Sequence, residues 1–116
     1  MIARLRGHLV AREAGELVVD VGGLGLAVYV PVPLAASATI GEPITLHTRL
    51  VVREDALILY GFATQEELRL FNLLLTVSGI GPRLALSLLS AMSPETLCLA
   101  IHQEQADLLS RIPGLG

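Results

Sequence analysis

Ser78-Gly79-Ile80-Gly81-Pro82-Arg83 interrupts the longest apolar region of the chain, between the helix-like runs Leu68 to Val77 and Leu84 to Met92. Glycine admits backbone angles and close approaches that a side chain forbids. Pro82 suits the first position of a helix, where a missing N–H costs nothing. The turn that follows begins with free N–H groups and the positive end of the helix dipole. A helix, a glycine turn and a second helix therefore predict an anion site sized for phosphate. Arg83 adds a fixed positive charge beside it.

The apolar-x-Gly-apolar-Gly core returns at Ile112-Pro113-Gly114-Leu115-Gly116, after Leu108 and Leu109. A single Gly-x-Gly between helices is most often a turn and nothing more. Two copies in one short chain resemble paired helix-hairpin-helix motifs, which hold the DNA backbone without reading sequence. The second copy has its first helix and glycine turn but no helix after Gly116, so a fragment, or the ordered part of a longer protein, is expected.

Composition sets limits on such a reading. The chain has 116 residues, is 53% hydrophobic and only 16% charged, against about 25% charged in an average domain. So apolar a small protein is expected to cover part of its surface with other chains. The net charge of −3 is not that of a uniformly basic nucleic-acid binder. All eight cations are arginines, the better residue for planar phosphate contact. With no lysine, no Schiff-base nucleophile is available. Cys98, the single cysteine, lies in an apolar run and reads as a buried structural thiol. His8, His47 and His102 are scattered, and none is read as paired with a cysteine or another histidine. No metal site, cofactor or catalytic residue is expected. Arginines break the N-terminus, Asn72 and the glycine turn break the apolar region, and a soluble, cytoplasmic protein with no membrane partner is expected.

Residues 1 to 63 read as β structure. Candidate strands are Ile2 to Arg12, Glu16 to Val21, Leu26 to Val32, Ile44 to Val52 and Ala56 to Phe62, with a loop or short helical turn over Leu34 to Glu42. In the fourth, Leu46, Thr48, Leu50 and Val52 should face one way and Thr45, His47, Arg49 and Val51 the other. Five short strands predict a small closed barrel of the oligonucleotide-binding (OB) type. Gly23-x-Gly25 is not a dinucleotide fingerprint, because a strand rather than a helix follows it. Glu54 and Asp55 fall at a hairpin tip, where adjacent carboxylates are usually solvated turn residues.

Beyond Ala63 the period lengthens to that of a helix. Thr64-Gln65-Glu66-Glu67 is a capping box, and Leu68, Phe71, Leu74 and Leu75 line one face. Ser93-Pro94-Glu95 starts another helix, whose apolar face is Leu97, Ala100 and Ile101. A separate short helix is expected over about Gln105 to Arg111. The fold class is thus α+β in two domains: a five-stranded OB-fold barrel over 1–63, then an all-α tandem helix-hairpin-helix domain over 64–116, truncated in its second motif.

In that order, Met1-Ile2-Ala3-Arg4-Leu5-Arg6-Gly7, Val51-Val52-Arg53-Glu54-Asp55-Ala56, Leu59-Tyr60-Gly61-Phe62 and Ser78-Gly79-Ile80-Gly81-Pro82-Arg83-Leu84-Ala85-Leu86 resemble the RuvA family. These are bacterial subunits that recognise Holliday junctions and, with the motor RuvB, drive branch migration in recombination and DNA repair. The resemblance implies a homotetramer on four-way junction DNA and leaves open whether a second tetramer closes over it to make an octamer. It implies that Ser78, Gly79, Ile80, Gly81 and Arg83 hold phosphates, as do Gly114 and Gly116 in the second hairpin, whose following basic residues are missing. It turns Glu54 and Asp55 from turn residues into an acidic pin near the tetramer centre, where strands separate. RuvB is the implied partner through a further C-terminal domain, with RuvC a second candidate partner. The rival readings are a non-catalytic protein-interaction module and a fragment of a helix-hairpin-helix DNA repair enzyme. The second is disfavoured by the missing lysine.

Overall fold

The computed structural model describes residues 2–110, with side chains as far as residue 104. Five strands, β1 (Arg4–Glu13), β2 (Glu16–Val21), β3 (Leu24–Tyr29), β4 (Pro43–Val52) and β5 (Leu57–Phe62), are joined by the short helix α1 (Val32–Ser37) between β3 and β4. They close in the order β1-β2-β3-β5-β4, with β4 returning to β1. All neighbours are antiparallel except β3 and β5. This is the expected OB-type barrel, and closure leaves no long edge open.

Alternation explains its core. Leu5, Leu9, Leu17, Val19, Val28, Leu46 and Leu59 point inward and are buried, each contributing about 1.5–3 kcal/mol of apolar transfer. Thr48 is the polar exception, and its hydroxyl donates to the Ile2 carbonyl oxygen at 2.9 Å. Val52 keeps the alternation of β4 but is 58% exposed, because the strand there has run past the barrel into the hairpin tip. β3 starts two residues earlier than expected and ends at Tyr29, and Val32 belongs to α1. Arg12 fixes that short helix by donating to the carbonyl oxygens of Ala36 and Ala38 at 3.1 and 2.6 Å. At Gly61, inside the barrel, a Cβ would lie 2.7 Å from Val28 Cγ1, so a close approach fixes the residue as glycine.

Three helices follow: α2 (Gln65–Leu74), α3 (Pro82–Ala91) and α4 (Pro94–Ser110). α2 opens on the expected box, in a modified form. The Glu67 N–H donates to Thr64 Oγ1 at 3.2 Å, while the Glu67 carboxylate accepts from the Thr64 hydroxyl at 3.0 Å rather than from a backbone amide. Leu70, Phe71 and Leu74 are its buried residues; Leu68 and Leu75 are half-buried. α4 opens on Ser93, whose Oγ accepts the Thr96 N–H at 3.2 Å. It buries Leu97 and Ile101 but leaves Ala100 exposed, against expectation. It also runs unbroken to Ser110, replacing the two helices expected over this stretch. No glycine or proline interrupts residues 95 to 110, so nothing in the chain stops it.

By contacts the chain divides into two compact units, Met1–Arg69 and Leu70–Gly116. The division falls within α2, beyond the 63/64 junction expected from the change of period. Among the described residues no helix is long and apolar enough to cross a membrane.

Candidate nucleic-acid interface

The turn between α2 and α3 is built by local hydrogen bonds. Thr76 and Val77 N–H groups donate to Leu73 and Leu74 carbonyls, both at 3.0 Å, and the Ile80 N–H donates to the Val77 carbonyl at 3.1 Å. Gly79 takes φ +86°, a conformation that costs an ordinary residue about 1–2 kcal/mol. Gly81 is the N-cap of α3, at φ −92° and ψ 177°, with Pro82 behind it in the first turn. No side chain caps this helix. Its positive end therefore faces outward across two residues without side chains, with exposed Ser78 and Arg83 on either side and Ile80 half-buried between the glycines.

Gly81 has no reason within its own unit to be glycine. Its backbone is extended, and a Cβ placed there would meet nothing within 4 Å. Serine, aspartate or asparagine would cap the helix at least as well. A bare backbone here suits an external group that must come close to the amides.

Glu54 and Asp55 occupy the other expected site. The Arg53 N–H donates to the Ala56 carbonyl at 2.8 Å and closes the β4–β5 turn, leaving the two acids as its central residues. Both are exposed, as is every residue from Val52 to Leu57. Val52 and Leu57 are cross-strand partners below them. Gly114 and Gly116 of the expected second hairpin lie outside the described residues.

One pairing escaped the sequence reading. Cys98 Sγ lies 3.7 Å from His102 Nδ1, one turn apart on α4. Residues four apart share a helix face, so the spacing could have placed the two side chains together, though not at a given distance. Cys98 is half-buried rather than buried. Among the described residues no group of three or more histidine, cysteine or acidic side chains could hold a metal. A cavity of about 320 Å³ behind the hairpin is lined mainly by apolar side chains, including Leu74, Val77, Leu88 and Ile101.

An OB-type barrel followed by helices that meet in a bare glycine turn defines a two-part α+β class, a barrel and a helix-hairpin-helix element. Family comparison narrows it: residues 1–61 match the RuvA N terminal domain, and residues 71–116 match the SAM-like helix-hairpin-helix tandem. The chain belongs to the RuvA family. Its relatives include the Holliday junction branch migration complex subunit RuvA of Stutzerimonas stutzeri, 45% identical over all of this chain and 58% of the relative's length. The proteins of the same name from Pseudomonas fluorescens and Pseudomonas entomophila are each 44% identical over all of this chain, and over 58% and 57% of their own lengths. The chain thus spans somewhat more than half the length of these curated relatives.

Proposed function

We propose that this chain binds Holliday junction DNA by shape, without reading sequence, as a homotetramer that supports RuvB-driven branch migration. The observation that carries the reading is Gly81, a residue whose missing side chain serves no contact of its own unit. A phosphate seated on Gly79 and Gly81 would meet backbone N–H groups, the helix dipole and Arg83. Such contacts position DNA but carry no sequence information. Each is weak and salt-sensitive alone; several copies on one symmetric assembly multiply it through effective concentration.

The exposed acids at the β4–β5 tip act in the opposite sense. Carboxylates near a crossover repel misplaced phosphates and help to hold strands apart. Gly114 and Gly116 would supply the second grip, in line with the family match over residues 71–116. The chain has no catalytic role in this scheme, and ATP hydrolysis belongs to RuvB. Its place of work is the cytoplasm.

The test is sedimentation of the chain alone and with a four-way junction, with linear duplex as competitor. A tetramer that keeps its junction under excess duplex is expected. A monomer that releases junction and duplex alike would contradict the proposal.

A further inference from the structure

The outer face of β1 carries Arg4, Arg6, His8, Val10 and Arg12, all exposed, because its inward positions are taken by Leu5, Gly7 and Leu9. Barrel closure adds β4 beside it: His47 is the cross-strand partner of Arg4, and Thr45 that of Arg6. Arg49 lies two residues beyond His47 on the same face of β4. Three of the chain's eight arginines, Arg4, Arg6 and Arg49, are thus gathered on one patch of a protein with net charge −3.

The geometry points to this face as a second phosphate-binding surface, formed by Arg4 and Arg6 with His47 and Arg49 beside them, which takes DNA backbone independently of the α2–α3 hairpin. The inference rests on the reading of the chain as a DNA binder. Arg4 and Arg6 are two residues apart on one strand face, about 6.8 Å along it, so each guanidinium can reach a different phosphate oxygen pair. Their backbones pair with β4, but among the described residues neither guanidinium makes a hydrogen bond or an ion pair. Asp20, the nearest acid by register, pairs with His8 rather than with either arginine, and its Oδ1 accepts the Gly23 N–H at 2.8 Å. The chemistry around the two arginines, Thr45 and His47, is polar. Subunit interfaces are depleted of charge at their centres; exposed Ile2 and Val10 flank the arginines at either end of this face, and the more exposed apolar residues of the unit, Leu24, Val32, Ile40, Val52 and Leu57, lie off β1. A nucleic-acid backbone is the better match to a charged strip of this kind.

The experiment compares wild-type chain with Arg4→Gln/Arg6→Gln for binding to a labelled four-way junction and a linear duplex, across about 50–300 mM salt. Circular dichroism and sedimentation report fold and association in parallel. The expected result is intact fold and assembly, affinity at low salt reduced by about tenfold or more, and a salt slope lower by about 0.9 for each phosphate no longer neutralised. Arg4→Lys/Arg6→Lys should keep most of that slope, since lysine retains the charge. An unchanged slope in an intact assembly overturns the inference while leaving junction binding untouched. Loss of association also overturns it, making the strip a subunit interface. If wild type binds junction and duplex equally but the variant still loses slope, the junction reading fails and the strip stands. No binding by wild type to either DNA overturns both. Should the double variant not fold, Arg6→Gln alone is judged by the same criteria.

Discussion

Gly79 and Gly81 flank Ile80 in one turn, yet they are glycine for different reasons. Gly79 sits at φ +86°, while Gly81 is extended and has open space where a Cβ would be. The first is a demand of the backbone; the second is a vacancy facing outward. Gly79→Ala should therefore lower stability by about 1–2 kcal/mol. Gly81→Ser should leave stability unchanged or raise it by a few tenths of a kcal/mol, roughly the margin of a better N-cap, yet weaken DNA binding because the side chain occupies the phosphate's approach. Thermal unfolding and a binding titration on the same samples separate these effects. Full affinity in Gly81→Ser would remove the main support for the hairpin reading.

Arg83→Ala should weaken binding to junctions of every sequence by a similar factor, since a phosphate contact carries no base information. The slope of log affinity against log salt should fall by about 0.9 for each phosphate that Arg83 neutralises. Titration of two junctions of unrelated sequence at several salt concentrations reads both quantities. A loss confined to one sequence would point to base contact instead.

Much of the fold was legible because the two periods are clean. Glu16 to Val21 is a short β-branched run ended by a glycine turn, and β2 occupies those residues. Thr64 to Glu67 and Ser93 to Glu95 announced helix starts through side chains that do accept the first-turn amides. What stayed hidden depends on partners distant in sequence or on context. The Arg4–His47 register exists only because the barrel closes, and no local pattern in β1 announces β4 as its neighbour. Val52 fits the alternation but not the burial, since alternation says nothing about where a strand leaves the core. Cys98 and His102 are spaced for one helix face, but their approach to 3.7 Å also depends on side-chain rotamers that spacing does not fix. Both expected motifs of the described region lie where they were placed, in a turn between helices and at a hairpin tip. The binding roles proposed for them are displayed by neither backbone nor burial.

Glu54→Gln with Asp55→Asn should leave junction affinity unchanged or raise it, because neutral amides end the repulsion of nearby phosphates. The central turn closed by Arg53 and Ala56 does not depend on the charges. Fluorescence of a base analogue at the crossover should show altered strand separation. A large loss of affinity in a folded assembly would mean that the acids attract rather than repel.

Thr64→Ala removes the acceptor of the Glu67 N–H and the donor to its carboxylate. A lost N-cap of this kind costs about 1 kcal/mol, to be read from chemical denaturation. Val52→Thr, at an exposed position of β4, should by contrast change stability by no more than about 0.5 kcal/mol.

The central claim, recognition of a four-way junction by shape, is met most directly by titrating this chain against a junction and a linear duplex of the same base composition, each at two salt concentrations. The account predicts strong preference for the junction at both, with affinity falling as salt rises. Equal, weak binding to the two DNAs would reduce the chain to a generic phosphate binder, and no binding to either would favour a protein-interaction module.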